Sequence, residues 1–214
     1  DRIISMKDVI QTDEGILFVS EFFEGVQLQK EIEKADKDRM QKLVREAIQI
    51  VEGLSELHRN SIFQGFLVPE SIVKDVEGEI RISTLNMTNI NIFDFIDADQ
   101  TLHYMAHSSP ELIDNKEVTP RSDIFALGII LYEMLTDELP FKGATTGELR
   151  QEIRYSKIQD FNNLKKTIDE KLYGILKKCL ESDPVNRYQT CDDLIADLQQ
   201  YSPEPPPPPP LHNK

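Results

Sequence analysis

Tryptophan is absent from the 214 residues, and cysteine occurs twice, as Cys179 and Cys191. Neither cysteine belongs to a CxxC pair or a Cys/His cluster, which argues against a disulfide framework and a structural metal. A reduced, cytoplasmic chain is the simplest account. The four histidines are scattered; His103 and His107 fit either one helical face or a loop, and the loop is preferred. No metal site is expected. No apolar run approaches the roughly 18 residues of a membrane span, and no signal peptide opens the chain. Positive charge is also short: 24 Lys and Arg stand against 38 Asp and Glu, a formal net charge of −14. Such a surface repels phosphodiesters and anionic lipid, so neither nucleic acid nor a membrane is an expected partner. A basic protein partner fits the sign. The chain opens at Asp1 rather than Met and reads as an excerpt.

What is present is a change of period along the chain. Residues 3–10 and 15–23 are β-rich and flank the polar cluster Gln11-Thr12-Asp13-Glu14, which predicts a hairpin. A short helical stretch is expected around Leu28–Ile32. From Asp38, a candidate N-cap, to His58, apolar residues recur at three- and four-residue steps, which predicts an amphipathic helix. Short strands at 71–73 and 79–82 follow, joined by a turn that carries Asp75 and Glu77. The stretch 84–111 has no sustained period and reads as a long loop. Residues 122–135 are apolar nearly all round, the mark of a central helix. Later helices are expected at 146–154, 168–180 and 191–201, with Thr145 or Thr146 and then Thr190 as caps. Six prolines follow Glu204, a stiff segment that serves as a linker or as a ligand for a proline-binding domain.

This order, from hairpin to terminal helices, resembles the protein kinase family from its fourth strand to its end, in a form similar to bacterial serine/threonine kinases. Ser20–Leu28 looks like the hinge. Gln64–Val73 (QGFLVPESIV) lies on the catalytic loop H-R-D-L-K-P-E-N-I-L, and Ile80–Thr88 lies on the segment that normally contains D-F-G. Ser109–Glu111 resembles A-P-E, Pro120–Phe141 the central helix, and Cys179–Thr190 the approach to the last helix. Phe66 to Ser71 is five residues and Ser71 to Thr84 thirteen, the family's spacing from base to asparagine to D-F-G aspartate. Between Thr101 and Glu111 the register is open. Either Tyr104 precedes a short insertion, or His107 stands at the family's tyrosine.

The resemblance implies an α+β, protein-kinase-like fold, a mainly helical C-lobe with a short hairpin remnant of the N-lobe. Residues 1–23 would be the partial N-lobe, 24–201 the C-lobe and 202–214 the proline-rich tail. It also locates departures. The base slot is Phe66, the phosphate-steadying lysine Val68, the two magnesium-ligand slots Ser71 and Thr84, and the phosphate-receiving arginine Gly65; Asn86 replaces the D-F-G glycine. Phosphoryl transfer rests on positioning and charge stabilisation, and these residues supply neither carboxylate nor cation. Asp75, Glu77 and Glu79 read as a solvated turn, and Asp94, Asp97 and Asp99 as loop charges. Glu111, Asp123 and Arg187, by contrast, stand at the family's structural positions. The expectation is therefore a pseudokinase, not an enzyme, acting through protein binding or allostery, with no cofactor beyond weak ATP binding at Glu21, Phe23 and Val73. The alternatives are an atypical serine/threonine protein kinase and an inactive nucleotide-binding sensor.

Overall fold

The β-rich opening forms three strands where two were expected. β1 (Ile3–Ile4), β2 (Met6–Thr12) and β3 (Gly15–Ser20) occupy it in this computed structural model. Residues 2–12, 15–28, 37–83, 98–156, 158, 161–165 and 168–201 are described. β2 and β3 make the antiparallel hairpin, with Ile10 opposite Leu17 and Thr12 opposite Gly15, so β2 continues through half of the expected turn. Ile3 and Ile4 leave the hairpin and pair in parallel with β6 (Ile80–Ser83). Burial explains the departure. A lone hairpin is marginal in water, whereas both isoleucines are buried against the larger sheet. That sheet runs β1-β6-β5-β4, with β4 at Val26–Gln27 and β5 at Ile72–Lys74.

The chain crosses between hairpin and sheet at Ser5 and Glu21, which are joined twice. The Glu21 amide donates to the Ser5 carbonyl (2.9 Å), and the Ser5 amide donates to Glu21 Oε1 (3.2 Å). Arg2 fastens the same end to α1 (Lys37–Arg59), donating to Glu52 at 3.2 Å and Gln49 at 2.6 Å. α1 begins before Asp38, which lies inside the helix rather than at its cap. Of the stretch expected at 28–32, only the buried Leu28 is described. The inward face of α1 carries Leu43, Ala47, Ile50, Val51, Leu54 and Leu57, all buried.

α4 (Pro120–Thr136) is buried almost throughout, the position its all-round apolarity requires. It meets α7 (Glu170–Cys179) at Gly128, where an added Cβ would lie 2.9 Å from Cys179 Cβ and 3.0 Å from Leu180 Cδ2. α5 (Thr146–Arg154) is capped by Thr145, and α8 (Cys191–Tyr201) starts at Thr190, whose Oγ1 accepts from the Asp193 amide at 3.1 Å. α7 starts two residues later than expected because the Asp169 side chain caps it. A short α6 (Phe161–Leu164) precedes it.

The long loop expected over 84–111 is corrected in its second half; residues 84–97 lie outside the described ones. From there the chain forms α2 (Ala98–Ala106) and α3 (Pro110–Ile113). Both sides of α2 meet protein, with His103 and Tyr104 against Glu70 and Phe66 and with Thr101 and Met105 toward α5, so its sequence lacks the apolar-in, polar-out period of a surface helix. His103 therefore lies in a helix rather than a loop, whereas His107 stands in the turn just after it. Among the described residues, no helix is long and apolar enough to cross a membrane.

Candidate active site

The loop 64–71 links α1 to β5 and hangs on one buried carboxylate. Asp123, in the first turn of α4, accepts from the Gln64 amide at 2.9 Å and the Gly65 amide at 2.7 Å. Its Oδ2 also lies 2.8 Å from His58 Nε2. Gly65 has φ +65°, a left-handed backbone that glycine adopts without strain. His58 Nδ1 faces Cys191 Sγ at 3.3 Å, which completes a Cys–His–Asp line. Burial pushes the Cys191 thiol far above its ordinary range, so it is a packed thiol and not a nucleophile.

Phe66, Val68 and Ser71 are brought together in one turn. Val68 is buried, and Phe66 is half-buried with its ring 5.2 Å from that of Tyr104. The Ser71 hydroxyl donates to the Val68 carbonyl at 2.7 Å. It holds the short 3-10 turn Pro69–Ser71 rather than facing a ligand. Thr84, Asn86, Asp94 and Asp97 lie outside the described residues, as does the side chain of Asp99. Asp75 Oδ1 accepts from the amides of Glu77 and Glu79, closing its turn. The magnesium ions that the kinase fold implies do not fit this donor set. Phe66 and Val68 offer no ligand atom, and the described residues contain no cluster of three or more metal-ligating side chains.

Glu21, Phe23 and Val73 converge on Arg81, a residue the sequence did not single out. Arg81 stands opposite Val73 in the β5–β6 register, its guanidinium 4.5 Å from the centre of the Phe23 ring and 3.9 Å from Glu21 Oε1. The available signal was strand alternation, since Arg81 lies between the buried Ile80 and Ile82. On the far side of the lobe, Arg187 donates to both oxygens of Glu111 (2.8 and 3.4 Å). It also donates to the carbonyls of Arg121, Glu181 and Ser182.

Sequence reasoning missed a second charged cluster. His103 Nε2 lies 2.7 Å from Glu70 Oε1, and the buried His107 places Nε2 3.0 Å from Glu133 Oε2 of α4. Burial pushes the Glu70 carboxyl up, but its hydrogen bond to His103 leads the opposing effects and leaves it below its ordinary value. The same bond, working against burial, raises the His103 imidazole above its ordinary 6.5. Tyr104 thus sits against the loop and His107 beneath α4.

The profile of the protein kinase domain family matches residues 1–198. The serine/threonine-protein kinase PrkC of Bacillus subtilis is 26% identical over 199 residues, 92% of this chain and 31% of that protein. Human protein kinase C delta type is 29% identical over 177 residues, 83% of this chain and 26% of that protein. This chain therefore spans about a third or less of the length of these relatives. The crystal structure of Rad53 1-466 in complex with AMP-PNP superposes with a TM-score of 0.70 at 23% identity, covering 91% of this chain and 49% of that one. That likeness supports the α+β, kinase-like fold. The relatives also correct the expectation of a non-enzyme, because the proteins similar to this chain carry the names of protein kinases, the Bacillus subtilis one that of a serine/threonine-protein kinase. The physical reason is that phosphoryl transfer draws on positioning as well as on charge stabilisation, so the side chains at Phe66, Val68, Ser71 and Thr84 do not decide it alone.

Proposed function

Because the chain belongs to the protein kinase domain family, we propose that it is the large-lobe part of an atypical serine/threonine protein kinase. The reaction would move the terminal phosphoryl group of a nucleoside triphosphate to a serine or threonine hydroxyl of a protein. The supporting observation is the loop 64–71 held in shape by the two amide bonds to Asp123. Phosphoryl transfer passes through a loose transition state, so a positioned loop retains much of what catalysis needs. A missing base costs on the order of 10²–10⁴-fold rather than the whole rate acceleration. Val73, Phe23 and the Arg81 guanidinium make an apolar and stacking wall suited to a purine ring. The Rad53 structure is a complex with a nucleotide analogue, which fits that reading. With a formal charge of −14, the chain favours a basic protein substrate. The magnesium donor set does not fit the described residues, and no step is drawn through a metal.

The test is transfer of labelled phosphate from ATP to a basic protein, with Mg²⁺ and separately with Mn²⁺, followed by phosphoamino-acid analysis. Slow labelling of serine or threonine is expected. Phe66→Asp should raise the rate, at most by the roughly 10²–10⁴-fold of a restored base. Labelling no greater than that of an Asp123→Ala control, with either metal, would sink the reading.

A further inference from the structure

The phosphoryl-transfer reading leaves one side of α2 unused. His103 and Tyr104 lie against Glu70 and Phe66 of the loop 64–71. Thr101 and Met105, one helical turn apart, line instead a cavity of about 270 Å³, together with Leu112 and Ile113 of α3 and Thr146 and Arg150 of α5. Asn115, whose φ of +52° turns the chain after α3, completes its edge. The buried Met105 and Ile113 make the inner wall apolar, and the exposed Asn115, Thr146 and Arg150 make the mouth polar.

Arg150 is the charged group at that mouth, and its charge is available. Arg154, one turn further along α5, is taken up by an ion pair with Asp114, whose other oxygen lies 3.2 Å from Lys116. Glu148 accepts from the Ala144 amide at 2.9 Å. Arg150 forms no ion pair among the described residues. A cation at the mouth and an apolar wall within suit an anionic head on an apolar stem. The volume lies below the roughly 300–1,000 Å³ of small-molecule sites, which favours a single side chain as occupant. With a formal charge of −14 the chain repels acidic peptides in general, so attraction here is a local exception.

We propose that this cavity receives one acidic side chain of the protein substrate, its carboxylate on Arg150 and its methylene stem against Met105 and Ile113. The substrate is then basic overall, with a glutamate at a fixed offset from the acceptor hydroxyl. α2 stands between the cavity and the loop 64–71, and a helix is about 10–12 Å across. An extended chain gains about 3.3–3.6 Å per residue, so the glutamate falls at least about three residues from the acceptor. As substrate selection by a kinase this rests on the reading above; as recognition of an acidic side chain it stands without it.

Fluorescence anisotropy of the full chain with labelled basic peptides tests it without any phosphoryl transfer. Each peptide carries one serine and one glutamate, moved position by position, and has a glutamine counterpart. At most positions the glutamate peptide should bind more weakly than its counterpart, as the net charge requires. At one position or two neighbouring ones, about three or more residues from the serine, it should bind roughly three- to tenfold more tightly. Arg150→Gln, at an exposed site, should abolish that preference. Arg45→Gln, which removes the same charge from an exposed site on α1, should keep it. Glutamate favoured nowhere, or only beside the serine, would overturn the proposal, as would no measurable binding of any peptide. So would a preference that survives Arg150→Gln or is lost equally in Arg45→Gln. A silent kinase assay beside a positive binding result would remove the kinase reading and keep the site.

Discussion

Arg187 is 2% exposed, yet each of its five N–H groups meets an acceptor: two on Glu111 and three on the carbonyls of Arg121, Glu181 and Ser182. Its guanidinium also lies 4.6 Å from the centre of the Phe125 ring. Glu111→Ala leaves that cation buried with its carboxylate removed, and should cost about 3–5 kcal/mol. The double change Glu111→Leu with Arg187→Met should cost clearly less, since no charge remains to be solvated. Urea unfolding of the three proteins distinguishes these, and a loss below about 1 kcal/mol for Glu111→Ala would contradict the account. Single residues are also where sequence reading reached furthest and overreached. Phe66, Val68 and Ser71 were legible as departures because their slots follow fixed spacings. That the Ser71 hydroxyl turns back to Val68 was not legible, because it depends on a backbone turn. Glu70 with His103, and His107 with Glu133, are 33 and 26 residues apart, and no local pattern joins them. The step from absent side chains to an absent reaction used identities alone, and the named kinases among the relatives correct it.

Elements were legible where one face is plainly apolar and the end is plainly capped. α5 and α8 have the bounds that their Thr145 and Thr190 caps predict, and α4 differs only in taking in Pro120, Arg121 and Thr136. α2 escaped because both of its faces contact protein, and Ile3–Ile4 were assigned to the hairpin because strand propensity does not name a partner. Close approach of elements is equally invisible in a periodic pattern, and Gly128 carries it for α4 and α7. Gly128→Ala would normally favour a helix by about 1 kcal/mol. Here its Cβ would meet Cys179 and Leu180 at 2.9–3.0 Å. The steric term should win and give a net loss of about 1–3 kcal/mol. A urea midpoint at or above that of the parent protein would show that α7 gives way freely.

For the molecule as a whole, opposite pKa shifts bound a pH window of stability. Glu70 is lowered from its ordinary 4.5 despite burial, chiefly through its hydrogen bond to His103. Asp114 and Asp192 are lowered from 3.8, chiefly by hydrogen bonds to Arg154 and Ser55 respectively. Groups shifted down contribute stability above their ordinary values and lose it as pH falls through the folded ones. The two aspartates pair with partly exposed arginines, so their share is small. His103 is shifted up from 6.5, so its contribution is full below that value and disappears as pH rises through the folded one. Tm should therefore peak between about pH 4.5 and 6.5 and decline on both sides. In His103→Gln the alkaline decline should shrink. Calorimetry from pH 3 to 9 checks this, and a Tm still climbing between pH 6.5 and 8.5 would count against it.

The doubled junction of Ser5 with Glu21 has a mechanical consequence. Both legs of the β2–β3 hairpin enter the lobe at adjacent points, with β1 anchored beside β6 and Arg2 clamped to α1. The hairpin therefore has a pivot and no slide: a load on its tip converts to torque about residues 5 and 21. That torque reaches β6 first, the strand that leads directly to Thr84.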